Sequence, residues 1–330
     1  MSTSPDAAVG GIKIVLTSPR VAPGVLTRAA WRAFEDADEV GAARGAVERP
    51  DVQALEAEGL TVERIPGDTV GHWAWLTTTA GLGGQVAWLV GDDGEPALLR
   101  IIADELSREP RPAYEVEIVH GSYDVPGARL IDLVRVMDRL RRNCPWDQEQ
   151  THESLAKYLL EETYETLEAI DSGDTDHLRE ELGDLLLQVA FHSRIAEEEP
   201  DEGFSVDDVA GDIVEKLIRR HPHVFADTLA ADAAAVEANW ETIKAAEKQR
   251  TSVLEGIPLA LPALALADKL LSRAAKILPS DQPPAPSEEL GDRLLDLVRE
   301  ARVSGLDAEQ SLREATRRLA DQIRTAEAGS

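Results

Sequence analysis

Two periodicities divide this chain. Up to about residue 118, short runs of β-branched and aliphatic residues alternate with amphipathic stretches. Ile12-Lys13-Ile14-Val15-Leu16 reads as a buried strand, 29–37 as a helix, and 86–90 as a strand before the turn Gly91-Asp92-Asp93-Gly94. Residues 96–106 place Leu98, Leu99, Ile102 and Leu106 at helical spacing. Alternating strands and helices predict an open α/β layer. From about residue 125 to 250 apolar residues instead recur every three or four positions. That spacing predicts helices over 127–142, 152–171, 177–199, 206–220 and 232–249.

The punctuation fits. Asn143-Cys144-Pro145-Trp146-Asp147 reads as a loop, and Ser172-Gly173-Asp174 as a tight connection between two helices. Ser205 with Asp208 three residues on reads as an N-cap, and His221-Pro222 as a helix end. Beyond Thr251 a Pro-bearing stretch precedes helices over 287–303 and 307–326. The expected organisation is α+β overall: a small α/β domain over 1–120, an all-α helical bundle over 121–250, a linker over 251–286, and a remnant of a second helical unit over 287–330.

Composition narrows the function. Lys and Arg total 34 against 62 Asp and Glu, a formal net charge of −28. So acidic a chain is a poor match for a protein that coats nucleic acid or an anionic membrane. A small anionic ligand held with a metal is not excluded, because a dication reverses the local sign. With one cysteine, Cys144, a disulfide framework and a Cys-based zinc site are both ruled out. The first residues lack a basic stretch followed by an apolar core, and the longest apolar runs are too short and Pro-broken to span a bilayer. A soluble cytoplasmic protein is expected.

The helix over 152–171 carries Glu161, Glu162, Glu165 and Glu168. Glu162 and Glu165 stand one turn apart, beside a stripe of Leu160, Tyr164 and Leu167. The next helix repeats the spacing with Glu181 and Asp184, beside Leu178, Leu182, Leu185 and Val189. If the stripes pack together, the carboxylate pairs lie alongside each other at the edge of the core. Four such carboxylates need a counter-charge, and all-oxygen ligands favour Mg²⁺ or Mn²⁺. Spacing alone also fits a solvated acidic surface. Gly183, inside a helix, suggests close approach by a neighbour or ligand. Lys216 and Arg220, then Trp240 and Lys244, are i, i+4 pairs suited to phosphate oxygens and a base plane, or to a helix C-terminus and a core.

These stretches resemble the MazG family of all-α nucleoside triphosphate pyrophosphohydrolases over about residues 125–270. The likeness rests on Glu161-Glu162-Thr163-Tyr164-Glu165 followed by Glu181-Leu182-Gly183-Asp184. It extends to Cys144-Pro145-Trp146-Asp147 with Gln150-Thr151-His152, to Arg219-Arg220-His221-Pro222-His223-Val224-Phe225, and to Trp240-Glu241-Thr242-Ile243-Lys244. The resemblance implies Mg²⁺ held by Glu162, Glu165, Glu181 and Asp184, with Mn²⁺ as a substitute. It also implies nucleotide contacts from Lys216, Arg220, Trp240 and Lys244, and a homodimer. The expected reaction is hydrolysis of a nucleoside triphosphate to a monophosphate and pyrophosphate, in nucleotide-pool house-cleaning, with Glu161 as a candidate base. Two rivals stand beside it: a non-catalytic helical scaffold for a protein partner, and a pyrophosphatase acting on another nucleotide such as phosphoribosyl-ATP.

Residues 12–45 are faintly similar to a tetrapyrrole methylase-like domain. Where those enzymes have a Gly-rich turn after the first strand, this chain has Thr17-Ser18-Pro19-Arg20, which argues against S-adenosylmethionine binding. Glu181-Leu182-Gly183-Asp184-Leu185-Leu186-Leu187 is echoed by Glu289-Leu290-Gly291-Asp292-Arg293-Leu294-Leu295. No EExxE precedes the second copy, so it is expected to pack through Leu290, Leu294, Leu297, Leu312 and Leu319 and to hold no metal.

Overall fold

β-Branched and aliphatic residues fill both faces of the central strands, the pattern of a sheet covered on both sides. The computed structural model describes residues 9–45, 49–226, 232–247, 252–275, 277 and 289–329. Its first layer runs β1 (Gly10–Leu16), α1 (Arg28–Glu35), β2 (Glu39–Ala43), α2 (Pro50–Ala57), β3 (Val62–Ile65), α3 (Thr69–Gly81), β4 (Gln85–Leu89), α4 (Pro96–Leu106) and β5 (Tyr114–His120). The strands form one parallel sheet in the order β3-β2-β4-β1-β5. Alternation sorts the side chains. Ile12, Ile14, Val86 and Trp88 pack with Leu76, Leu98 and Ile102 on one face, and Val15, Ala87 and Leu89 pack with Phe34, Val52 and Leu55 on the other. Gly41 is required here, because a Cβ at that position would lie 2.6 Å from the Trp75 ring.

Helices follow: α5 (Arg129–Asn143), α6 (Pro145–Glu149), α7 (His152–Ser172), α8 (Thr175–Ala196), α9 (Val206–Arg220), α10 (Pro222–Phe225), α11 (Ala233–Glu247), α12 (Ala263–Ala274), α13 (Leu290–Val303) and α14 (Ala308–Ala328). The chain divides into two compact units, residues 1–210 and 211–330. In the first, Met137, Leu155, Ala190, Phe191 and Ile195 make a core among α5, α7 and α8. None of the described helices is long and apolar enough to cross a membrane.

The segment Thr17–Arg20, in place of a Gly-rich turn, is bonded to the start of the helices. Arg20 donates to Asp132 Oδ2 at 2.8 Å and to Asp124 Oδ2 at 2.6 Å. Arg135 on α5 donates to the Pro19 carbonyl. These bonds tie the sheet's β1 loop to α5.

Five local expectations are corrected. The loop over 143–147 contains α6, whose first turn is preset by Pro145 and held by Arg141, which donates to the carbonyls of Asp147 and Gln150. The linker contains α12, an Ala- and Leu-rich run whose helix propensity outweighs the prolines before it. The inward stripe of α7 is Leu155, Glu162, Thr166 and Ala169, whereas Leu160 and Tyr164 are 57% and 46% exposed. On α8 it is Glu181 and Gln188 that are buried, and Leu182 and Val189 that are exposed. A Cβ on Gly183 would have nothing within 4 Å, so no close neighbour explains that glycine.

Candidate active site

The hairpin of α7 and α8 is built by its ends. Thr151 and Ser154 exchange side-chain and backbone hydrogen bonds in a capping box at the start of α7. Gly173, at φ 71°, stops that helix in the left-handed region. Asp174 then caps α8, accepting from the backbone N–H of Asp176 at 3.0 Å and of His177 at 3.1 Å. The two-residue turn makes the helices antiparallel neighbours and fixes which turns face each other.

Facing turns carry acids. Carboxylate oxygens of Glu162, Glu165 and Glu181 converge within 4.8 Å of one another. Asp184 is outside that set of three, one turn beyond Glu181, yet among the surrounding charges it acts most strongly on Glu162. The Glu162 carboxyl is pushed above the ordinary carboxylate range, first by desolvation, then by the charges of Asp184, Glu165, Glu181 and Glu161. Glu181 is only 7% exposed. His177 Nε2 stands 3.1 Å from its Oε1, and its Oε2 is buried with no hydrogen-bond partner. No lysine or arginine among the described residues pairs with any of these four acids.

This donor set fits a hard divalent cation. The donors are all carboxylate oxygens, three of them converge, and one is a buried acceptor with no hydrogen-bond donor, an arrangement that costs stability unless something positive meets it. Glu161 is exposed on the same helix, next to Glu162.

The basic and aromatic candidates lie in the second unit, on α9 and α11. Arg220 is buried and already engaged: Glu247 Oε2 accepts from its Nε at 3.0 Å and its Nη2 at 2.5 Å. Glu247 Oε1 accepts from Arg219 at 2.6 Å. These two guanidinium groups hold the Glu247 carboxyl down to about 2. The Arg220 guanidinium lies 5.3 Å from the centre of the Trp240 ring, and His221 meets that ring edge-on at 4.8 Å. Lys216 is exposed and makes no hydrogen bond or ion pair among the described residues. Lys244 is half-buried on α11.

Two residues at these sites escaped the sequence reading. His177 stands one helical turn before Glu181, a spacing that sequence does expose. Glu247 meets Arg219 and Arg220 from far along the chain, and nothing local signals that contact.

A family model described as the MazG nucleotide pyrophosphohydrolase domain matches residues 150–225. An uncharacterized 26.1 kDa protein of Streptomyces cacaoi is 50% identical over 236 residues, 71% of this chain and 98% of that one. A Mycolicibacterium smegmatis protein named nucleoside triphosphate pyrophosphohydrolase is 42% identical over 243 residues, 72% of this chain and 71% of its own. A Thermotoga maritima protein named nucleoside triphosphate pyrophosphohydrolase/pyrophosphatase MazG is 38% identical over 221 residues, 59% of this chain and 84% of its own.

Proposed function

The chain belongs to the MazG family, and from that membership and the acidic cage of α7 and α8 we propose that it hydrolyses nucleoside triphosphates to monophosphate and pyrophosphate. The observation that carries this reading is the buried, partnerless Oε2 of Glu181 converging with Glu162 and Glu165, with no lysine or arginine paired to them among the described residues. Glu162, Glu165, Glu181 and Asp184 would hold Mg²⁺, with Mn²⁺ as a substitute. A divalent cation held there supplies charge neutralisation at phosphate oxygens.

The chain's own groups do the rest. Water adds to phosphorus as the anhydride between the α and β phosphates breaks, and pyrophosphate departs with the bonding pair. Glu161 is assigned the water's proton at its carboxylate, an exposed position from which the proton can pass to solvent. Lys216, Arg220 and Lys244 are assigned to phosphate oxygens and Trp240 to the base plane. Arg220 enters this reading already ion-paired, so its contact requires Glu247 to share the guanidinium. A homodimer suits the apolar residues left on the hairpin surface, among them Leu160, Tyr164, Leu182 and Val189. House-cleaning of nucleotide pools in the cytoplasm is the setting that fits such an activity.

The test is to incubate the full chain with dNTPs, normal and oxidised, with and without Mg²⁺. Pyrophosphate and monophosphate in equal amounts, only with metal, are expected. Orthophosphate alone, or no turnover of any triphosphate, overturns the reading.

A further inference from the structure

Among the described residues, His177 is the one side chain in ion-pair contact with the cage, its Nε2 standing 3.1 Å from Glu181 Oε1. The oxygens that converge within 4.8 Å belong to Glu162, Glu165 and Glu181, and the imidazole is not a member of that set. Its partner is the most buried of the three. Three side-chain rotations place a glutamate's carboxylate oxygens, and among the described residues no other ion pair or hydrogen bond engages the Glu181 carboxylate. The imidazole stands beside Oε1, and Oε2 is the buried atom without a donor.

The backbone that carries the imidazole is held in place. His177 lies in the first turn of α8, and its backbone N–H is taken by the cap residue Asp174 at 3.1 Å. The turn between the two helices therefore sets the start of α8, and the start sets the backbone position of His177 beside Glu181. Histidine and carboxylate partners of this kind behind a metal ligand orient it and raise its affinity.

We propose that His177 is a positioning residue: it orients the Glu181 carboxylate so that Oε2 is presented to a divalent cation. This inference rests on the metal reading of the cage. Its signature separates it from an ordinary i, i+4 pair on a helix, which contributes little to folding and nothing to cation affinity.

The experiment uses metal-free full-length protein at one neutral pH and follows Mn²⁺ binding by the loss of the free-ion electron paramagnetic resonance signal. Parent, His177→Ala and His177→Gln are compared, with thermal melts of each in the absence of metal. His177→Ala is expected to weaken Mn²⁺ binding by about 10-fold or more, with a metal-free melt close to the parent's. His177→Gln, whose amide N–H can replace Nε2, is expected to recover most of the affinity. Alanine binding Mn²⁺ as tightly as the parent overturns the role of His177 and leaves the cage standing. So does a glutamine variant as weak as alanine, and that variant decides the matter if alanine does not fold. A parent that binds no Mn²⁺ overturns the cage and this inference together.

Discussion

Two sets of carboxylates in this chain meet opposite surroundings. Glu247 sits between Arg219 and Arg220, ion-paired at 2.6 and 2.5 Å, and its carboxyl is held at about 2. Glu198 is treated likewise by Arg141 and Arg194. On α7 and α8 the same residue type gathers with no guanidinium or ammonium, and Glu162 is pushed upward instead. A chain with 34 basic residues against 62 acidic ones has few cations to place. It places them on Glu247, Glu198 and Asp132 and leaves the cage without one. Where paired acids hold helix ends together, unpaired inward-facing acids are poor structural elements. Their positive partner has to come from solution.

The sharpest way to break this contrast is to remove the cage. Glu162→Ala, Glu165→Ala, Glu181→Ala and Asp184→Ala are each expected to lower turnover by about 10³-fold or more, roughly 4 kcal/mol of transition-state stabilisation. The metal-free variants should melt no lower than the parent, because mutual repulsion and an unsatisfied acceptor are being removed. Their response to added Mg²⁺ should shrink. Calorimetric melts with and without Mg²⁺, alongside pyrophosphate release, check both halves. A variant that keeps near-parental turnover removes its residue from the cage.

The contrast was half legible in the sequence. The i, i+3 spacing of Glu162/Glu165 and Glu181/Asp184, and the turn at Gly173, gave the helices and the acids. Which face points inward was misread: an apolar stripe of Leu160, Tyr164, Leu182 and Val189 is the obvious seam by hydrophobicity. In the structure those four are exposed while Leu167, Leu178 and Leu185 are half-buried, and among the acids Glu181 is buried, Glu162 and Asp184 are half-buried and Glu165 is exposed. Periodicity reports that a helix is two-sided; it does not report which side is covered when a site needs buried polar groups. In the sheet layer the central strands were plain, because burial on both faces demands β1's unbroken Ile-Lys-Ile-Val-Leu run. The short strands β2 and β3 and the weakly patterned helices α2 and α3 carried too few residues of contrast. The edge strand β5 was passed over although Tyr114, Val116 and Ile118 alternate with Glu115 and Glu117.

On the other side of the comparison, Arg220 and Lys216 should come apart. Lys216→Ala is expected to raise KM for the triphosphate with an unchanged melt, a charge-assisted phosphate contact being worth roughly 1.5–3 kcal/mol. Arg220→Ala removes a buried guanidinium from Glu247 and Trp240, so it should also lower the melting temperature. Equal melts for the two variants would mean that the Glu247 clasp contributes nothing to the fold.

Acid titration of the metal-free protein separates the two carboxylate classes by sign. An unfolded glutamate releases its proton near 4.5, while folded Glu162 keeps it to higher pH. The folded state then binds more protons, and rising pH erodes stability across that range. Glu247 does the reverse: its contribution is present above 4.5 and is lost as pH falls toward about 2. Urea midpoints against pH should therefore lose opposite slopes in Glu162→Gln and Glu247→Gln. Slopes of the same sign in both would end the contrast.

The smallest effect is expected where the sequence repeats itself. Glu289 and Asp292 copy the spacing of Glu181 and Asp184, so a motif reading places a second half-cage there. The backbone around them differs. Glu181 lies well inside α8, but Glu289 is the N-cap of α13, with φ −69° and ψ 133°, and Asp292 is in the first turn. Helical spacing puts two carboxylates on one face only when both are helical, and both of these residues are exposed. The Glu161–Glu165 motif has no counterpart ahead of them, and a pair of exposed carboxylates under-coordinates a hard cation. An acid at a helix N-terminus has a plainer use, favouring the helix dipole by about 0.3–1 kcal/mol. The double variant Glu289→Ala/Asp292→Ala should therefore keep turnover and Mg²⁺ dependence and lose at most about that much stability. Leu290, Leu294, Leu297, Leu312 and Leu319, expected to pack, are exposed in this chain. If a second subunit covers them, sedimentation of the double variant should match the parent while Leu297→Asp/Leu312→Asp shifts toward monomer. If the double variant loses catalysis with its melt and sedimentation unchanged, the echo is a working half-site and the contrast between paired and unpaired acids is drawn in the wrong place.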